Sequence, residues 1–260
     1  MFLKRQNIEL KTEREIEKMR IASRAVAEVL QRLYDVIKPG ATTKDIDIFS
    51  ERYIRSLKML PAFIGVKGVH GNTFPSSTCV SINNEVVHGI PSYSRVLNNG
   101  DLVSVDVGVI YEGYYGDAAR TYTVGNVSNT VSRLINVTET SLNNGILEIL
   151  PGRRLGNISS TIQKTAENAG FSVVRDFVGH GIGKHLHEDP QIPNFGEFNT
   201  GLRLLPGIVL AIEPMVNVGG HEVCISNDGW TVVTRDGSLS AHFEHTVLVT
   251  KNGYEILTKV

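Results

Sequence analysis

The sequence predicts an α+β fold of two similar halves, in which pairs of helices pack against a shared sheet. Three observations carry this expectation. Helical apolar spacing appears in two pairs of segments, each pair divided by a Pro-Gly stop. A glycine lies six residues ahead of a carboxylate on two alternating strands, and the two offsets between copies, 112 and 107 residues, nearly agree. Coincidence is the competing explanation, because Pro-Gly helix stops are common.

The elements follow in order. Thr12-Glu-Arg-Glu15 reads as a capping box ahead of Ile16, Met19, Val26, Leu30, Leu33 and Ile37 at helical spacing, and Pro39-Gly40 ends that helix. Thr42 or Thr43 caps a second helix, where Ile46, Phe49, Tyr53 and Leu57 share a face, and a strand-like stretch follows from Met59 to Val69. Downstream, Leu134, Val137, Leu142, Ile146 and Ile149 mark a third helix, Pro151-Gly152 stops it, and Asn157 is expected to cap a fourth running to Gly170. The strands Gly100-Asp-Leu-Val-Ser-Val-Asp106 and Gly207-Ile-Val-Leu-Ala-Ile-Glu213 complete the two copies.

Composition narrows the class of function. A chain of 260 residues buries about three quarters of its unfolded surface, so any metal it binds is there for chemistry rather than for folding. With 26 basic and 27 acidic residues the net charge is −1, and no Lys/Arg block marks a nucleic-acid or anionic-membrane footprint. The first ten residues contain no signal-peptide core and no segment approaches a membrane span, so a cytoplasmic protein is expected. Cys79 and Cys224 lack the short spacing of redox or thiolate-zinc pairs, and reduced thiols are expected.

Candidate chemistry begins in Val103-Ser-Val-Asp-Val-Gly-Val109. Its valines take one face of a strand and leave Ser104, Asp106 and Gly108 on the other. A hairpin turning about Tyr111 and Glu112 would set Asp106 directly opposite Asp117, and two opposed carboxylates repel unless a proton or a cation lies between them. Aspartate is also common in turns, which is the plainer account of Asp117. Glu213 closes a buried apolar run, Glu244 heads another, and His180 stands between glycines in Gly-His-Gly-Ile-Gly183. Singly, Glu213 can pair with an arginine, Glu244 can be a strand-end surface acid and His180 a satisfied core histidine. Together the five form an oxygen-rich, thiolate-free set suited to manganese, ferrous iron, cobalt or magnesium, with zinc admissible, and four carboxylates neutralise two such ions better than one. The phosphate-loop reading of Gly179 to Lys184 fails because His185 stands where Ser or Thr should follow the lysine, and His-Glu-x-x-His and Gly-x-Ser-x-Gly are both absent.

Val-His-Gly-Ile-Pro91, the Asp106 and Asp117 strands, Gly-His180-Gly-Ile-Gly, Ile-Glu213-Pro-Met and Glu244, spaced 11, 63, 33 and 31 residues apart from Asp106 onward, resemble type I methionine aminopeptidases of the M24 metallopeptidase family. The resemblance runs from about Thr12 to the end. It implies the pita-bread fold, with two pseudo-symmetric halves and helices outside a shared curved antiparallel sheet. Residues 1–11 would form an extension and residues 12–260 one catalytic domain, with repeats at about 12–125 and 126–260. It also implies removal of the initiator methionine from nascent chains and peptides with a small second residue, through a water activated between two divalent ions (cobalt, manganese, iron or zinc).

Carried over by position, Asp106, Asp117 and Glu244 would ligate one metal and Asp117, His180, Glu213 and Glu244 the other. Glu213 would also handle the proton of the attacking water, and His88 and His187 would contact substrate. Phe74, Cys79, Met215 and Trp230 would line the methionine pocket, with further contributions from His70 to Phe74. Relatives often carry tyrosines in that segment and an aromatic residue before the second substrate histidine, where this chain has Gly71, Phe74 and Leu186. Substrate peptides, and at most a transient ribosome contact, are the expected partners of a monomer, with no specific nucleic acid and no membrane. Xaa-Pro aminopeptidases and dipeptidases share the fold but usually carry a substantial domain ahead of it, for which a helix starting at Thr12 leaves no room. The 31 residues between Glu213 and Glu244 argue against the type II enzymes with their helical insert. A metal-free binding protein on the same fold is opposed by the presence of all five ligands.

Overall fold

A computed structural model describes residues 8–68 and 71–259. In the first half, helices α1 (Glu13–Arg32) and α2 (Thr43–Ser56) precede strands β1 (Leu60–Pro61), β2 (Thr78–Ile82), β3 (Glu85–Val87), β4 (Leu102–Tyr111) and β5 (Tyr114–Thr123). In the second half, helices α3 (Asn129–Leu147) and α4 (Gly156–Asn168) precede β6 (Ser172–Val173), β7 (Gly179–Gly181), β8 (Glu188–Ile192), β9 (Val209–Ile212) and β10 (Met215–Asn217). Then come β11 (Val223–Ile225), β12 (Val232–Thr234), β13 (Ser240–His242), β14 (His245–Val249) and β15 (Tyr254–Ile256). Every named strand pairing is antiparallel.

Local sequence accounts for the helix ends. At α1 the Thr12–Glu15 capping box forms: Glu15 reaches back to accept the Thr12 N–H at 2.8 Å, and the Thr12 hydroxyl also donates to that carboxylate. At α2 the cap is Thr42: its hydroxyl accepts from the Asp45 N–H and its own N–H donates to the Asp45 carboxylate. Gly40 and Gly152 both take the left-handed backbone, at φ +87° and +83°, which a glycine adopts without a Cβ clash and which turns the chain between the two helices of each pair. Asn157 does not cap α4. The helix starts one residue earlier, and the Asn157 side chain instead accepts the Asn199 N–H at 2.8 Å.

Only Leu60–Pro61 of the expected strand from Met59 forms one, paired with Val109–Ile110; Pro61 lacks an N–H and Gly65 turns the chain at φ +83°. Val69 and His70 lie outside the described residues.

The alternating valines of β4 face the helices. Val103, Val105, Val107 and Val109 pack against Val26, Val29, Leu30, Ile46 and Ile54 of α1 and α2. Leu210, Ile212, Val216 and Val247 pack likewise against Leu134, Leu142, Ile146, Ile158 and Ile162 of α3 and α4. A third core joins the halves through Met19, Phe63, Phe74, Ile182, Val209 and Leu248. The buried Asp47 on α2 accepts the N–H groups of Ser77 and Thr78 and an ion pair from Lys44, which pins the start of β2.

A four-stranded sheet sets β4 between β5 on one edge and β1 and β2 on the other, and a five-stranded sheet runs β15-β14-β9-β7-β8. The two meet where β5 lies beside residues 242–246. There the Glu244 N–H donates to Ala119 O at 2.9 Å, and on either side a threonine hydroxyl substitutes for ladder bonds. Thr246 Oγ1 accepts the Asp117 N–H (3.1 Å) and donates to Asp117 O (2.7 Å). Thr121 Oγ1 accepts the His242 N–H (3.0 Å) and donates to His242 O (2.8 Å).

Candidate metal centre

The β4–β5 hairpin turns on Glu112 and Gly113, at φ +46° and +80°, so Tyr111 pairs with Tyr114. The turn thus lies one residue later than the sequence suggests, and the register moves by two. Asp117 faces Gly108, and Asp106 faces Ala119. The two aspartates are diagonal neighbours on one face, and their carboxyls still come within hydrogen-bonding reach. In the other sheet His245 pairs with Ile212, so Glu244 and Glu213 stand one residue beyond the last rung of β9–β14. His180 on β7 pairs with Ala211. Its flanking glycines are needed for that approach: a Cβ on Gly179 would lie 2.5 Å from Ala211 O, and one on Gly181 2.1 Å from Asp189 O.

These strands bring one ligand atom each of Asp117, His180 and Glu244 within 4.8 Å of one another. Glu213 Oε1 lies 3.4 Å from His180 Nε2. Asp106 Oδ1, Asp117 Oδ1 and Glu244 Oε1 are buried without a hydrogen-bond partner among the described residues. Such atoms carry the full cost of desolvation unless a proton or cation joins them.

The electrostatics agree. Burial, aided by the neighbouring carboxylates, pushes Asp117, Glu213 and Glu244 well above the usual carboxylate range, and burial raises Asp106 to about 7. His180 Nδ1 lies 2.8 Å from Gly181 O, an atom that only accepts, so the ring proton is on Nδ1 and the Nε2 lone pair faces Glu213. Burial holds that imidazole neutral, with its pKa lowered to about 3. Lone pair thus meets carboxylate, an arrangement that a divalent cation relieves. Oxygen and imidazole donors around ions at about 2.0–2.2 Å fit this spacing and this donor set.

One cavity of about 310 Å³ contains all of these groups. Asp106, Asp117, His180, Glu213 and Glu244 line it together with His88, His187, Phe74, Cys79 and Trp230. Phe74 and Trp230 meet edge to face at 5.1 Å. His88, held at φ +61°, sets its ring against Phe177 and Trp230, and the His187 ring stands 4.5 Å from that of His180. Cys79 pairs with Asp106 across β2 and β4, and both cysteines are free. Met215 is the exception: it does not line the cavity but is fully buried in a core with Val86, Val87, Val174, Val223 and Val232. The match to relatives' pocket residues put Met215 on the cavity, whereas here it packs beneath the lining, against Val232 and Phe177.

Sequence reasoning missed Phe63 and Phe177 on the cavity wall, which Leu186 also lines, and His242, whose Nε2 lies 3.8 Å from Glu213 Oε2. The available signal for His242 was its position two residues before Glu244.

The profile of metallopeptidase family M24 matches residues 17–251, and the chain belongs to that family. Within it, the chain groups with the methionine aminopeptidases. It is 53% identical to methionine aminopeptidase 1 of Bacillus subtilis over 250 residues, covering 96% of this chain and 98% of that one. It is 50% identical to the methionine aminopeptidase of Clostridium acetobutylicum over 96% of this chain and 98% of that protein. The crystal structure of methionine aminopeptidase from Thermotoga maritima superposes with a TM-score of 0.94 at 51% identity, over 98% of this chain and 100% of the other. The prolidase of Pyrococcus horikoshii shares the fold, with a TM-score of 0.74 at 21% identity over 96% of this chain and 63% of that longer one. The fold is the pita-bread fold expected from the sequence.

Proposed function

We propose that the protein removes N-terminal methionine from peptides and nascent chains whose second residue is small. The observation that carries this reading is the convergence of five metal-ligand side chains and an aromatic pocket on one cavity. Asp106, Asp117 and Glu244 would hold one divalent cation and Asp117, His180, Glu213 and Glu244 a second, with manganese, iron, cobalt or zinc supplying Lewis-acid polarisation and a nucleophilic water near neutral pH.

The chain's own groups divide the remaining work. Phe74, Cys79 and Trp230 offer an apolar slot for an unbranched thioether side chain. His88 and His187, whose pKa values burial lowers (His88 to about 4), stay neutral and can donate an N–H to substrate oxygen. Glu213, pushed up by burial and then by Asp106 and Asp117, accepts the proton of the attacking water and returns it to the leaving amine.

We read residues 1–11 as an extension and 12–260 as the catalytic domain, with repeats at about 12–125 and 126–260; the order helix, helix, strands in each half supports this. We place the enzyme in the cytoplasm as a monomer that meets nascent chains, with any ribosome contact transient. No helix among the described residues is long and apolar enough to cross a membrane.

The test is hydrolysis of Met-Ala-type peptides by chelator-stripped protein. Activity is expected to vanish and to return with manganese, iron or cobalt, and full activity in tightly metal-free protein overturns the assignment. Cleavage of Xaa-Pro peptides but not of Met-Ala peptides would reassign the substrate.

A further inference from the structure

We infer that His242 is a positioning residue for Glu213, orienting that carboxylate so that Oε1 faces the ligand cluster while Oε2 is held by the imidazole. The inference deepens the function proposed above and rests on it.

His242 is 2% exposed, and its Nε2 has no hydrogen-bond partner among the described residues. A buried polar atom of this kind marks an interaction left to be completed. The neighbouring acceptor is Glu213 Oε2 at 3.8 Å, which a small side-chain rotation converts into a hydrogen bond. On the other oxygen, Oε1 faces the unprotonated Nε2 of His180 at 3.4 Å. Glu213 is therefore bracketed by two imidazoles with different duties, a lone pair on the side of the cluster and a potential N–H donor behind.

The backbone of His242 is fixed for this task. Thr121 Oγ1 gives its proton to His242 O, so the 2.8 Å contact between Ser104 Oγ and Thr121 Oγ1 has Ser104 as the donor. The same clamp holds Asp117 through Thr246, and the two clamps run in opposite senses on either side of the Glu244–Ala119 bond. A two-fold axis through that seam carries Asp117 onto His242. The glycine-to-carboxylate match carries Asp106 onto Glu213. His242 thus stands to Glu213 as Asp117 stands to Asp106, with a neutral donor in place of a second acid. Such groups behind a ligand typically change metal affinity or activity by about 10- to 100-fold when removed.

The experiment uses the full chain reconstituted with manganese and the variants His242→Leu, which removes the donor, and His242→Gln, which keeps one. His242→Leu is expected to lower kcat on a Met-Ala peptide by about 10- to 100-fold with KM changed by less than about threefold, and to weaken manganese binding by calorimetry. His242→Gln is expected to restore most of both. Long-range proton–nitrogen spectra of the histidine-labelled wild type loaded with diamagnetic zinc, assigned with the Gln variant, should show the proton of His242 on Nε2. Wild-type kcat in His242→Leu, equal losses in the Leu and Gln variants, or a proton on Nδ1 would each overturn the inference. The spectrum reads His242 even if the Leu variant fails to fold. A wild type inactive on every methionyl peptide would strike the proposed function instead.

Discussion

One part of the cavity wall is apolar, where Phe74 and Trp230 meet edge to face. On another part Asp106, Asp117 and Glu244 carry buried oxygens with no hydrogen-bond partner among the described residues, and Glu213 meets the lone pair of His180. The first part is built as any core is built and gains stability from apolar burial. The second spends stability, since crowding four acids out of water costs more than their few hydrogen bonds return. The contrast separates side chains that serve folding from side chains that serve chemistry, and it ranks the outcomes of substitution.

The largest expected effect is Asp117→Asn, which removes a charge from the strained wall. Turnover of a Met-Ala peptide should fall about a thousandfold or more. The melting temperature of the chelated variant should equal or exceed that of the chelated wild type, because one repulsion is gone. A fall of many degrees would show that Asp117 is an ordinary structural acid. Next comes Trp230→Ala on the apolar wall, expected to lower kcat/KM for methionyl peptides about 10- to 100-fold while leaving manganese affinity by calorimetry unchanged. Loss of metal binding there would erase the distinction between the two parts.

The smallest effect is a slope. Asp106, Asp117, Glu213 and Glu244 have folded pKa values raised above their unfolded ones, so the folded state keeps protons that the unfolded state has released. Their contribution is present at low pH and is lost as pH rises through the folded values. His88, His180 and His242 are shifted down and oppose this slope only below about 6.5, where the unfolded chain takes up protons. Between pH 6.5 and 8.5 the chelated protein should therefore lose stability, by up to roughly 1.4 kcal/mol per pH unit for each carboxyl in transit, while the metal-loaded protein stays nearly flat. A flat profile in the chelated protein, followed by thermal melts, would count against the crowding.

Much of this was legible in the chain because local chemistry decided it. The valines of β4 could face only the helices, and the Pro-Gly pairs could only end α1 with its tail and α3. What escaped depended on contacts remote in sequence or on unusual local backbone. The hairpin register was missed because Glu112, an unexpected residue at positive φ, opens the turn. Met215, carried over by position as a pocket residue, is buried in a core with Val86, Val174 and Val232, contacts remote from it in sequence. Asn157 had the right residue type for a cap but is drawn to the Asn199 N–H, 42 positions away. His242 gains meaning only beside Glu213 and Thr121, neither of which is near it in sequence.

The seam of threonine hydroxyls has one more implication. Thr121 seats His242 and Thr246 seats Asp117, so each half of the polypeptide supplies the fastener for a side chain carried by the other. Severing the backbone between Val124 and Ser128, after β5 and before α3, would give two fragments that each hold part of the ligand set and half of the fasteners. Neither should retain manganese alone. Reassembly of the mixed pieces would be read directly as the return of metal affinity.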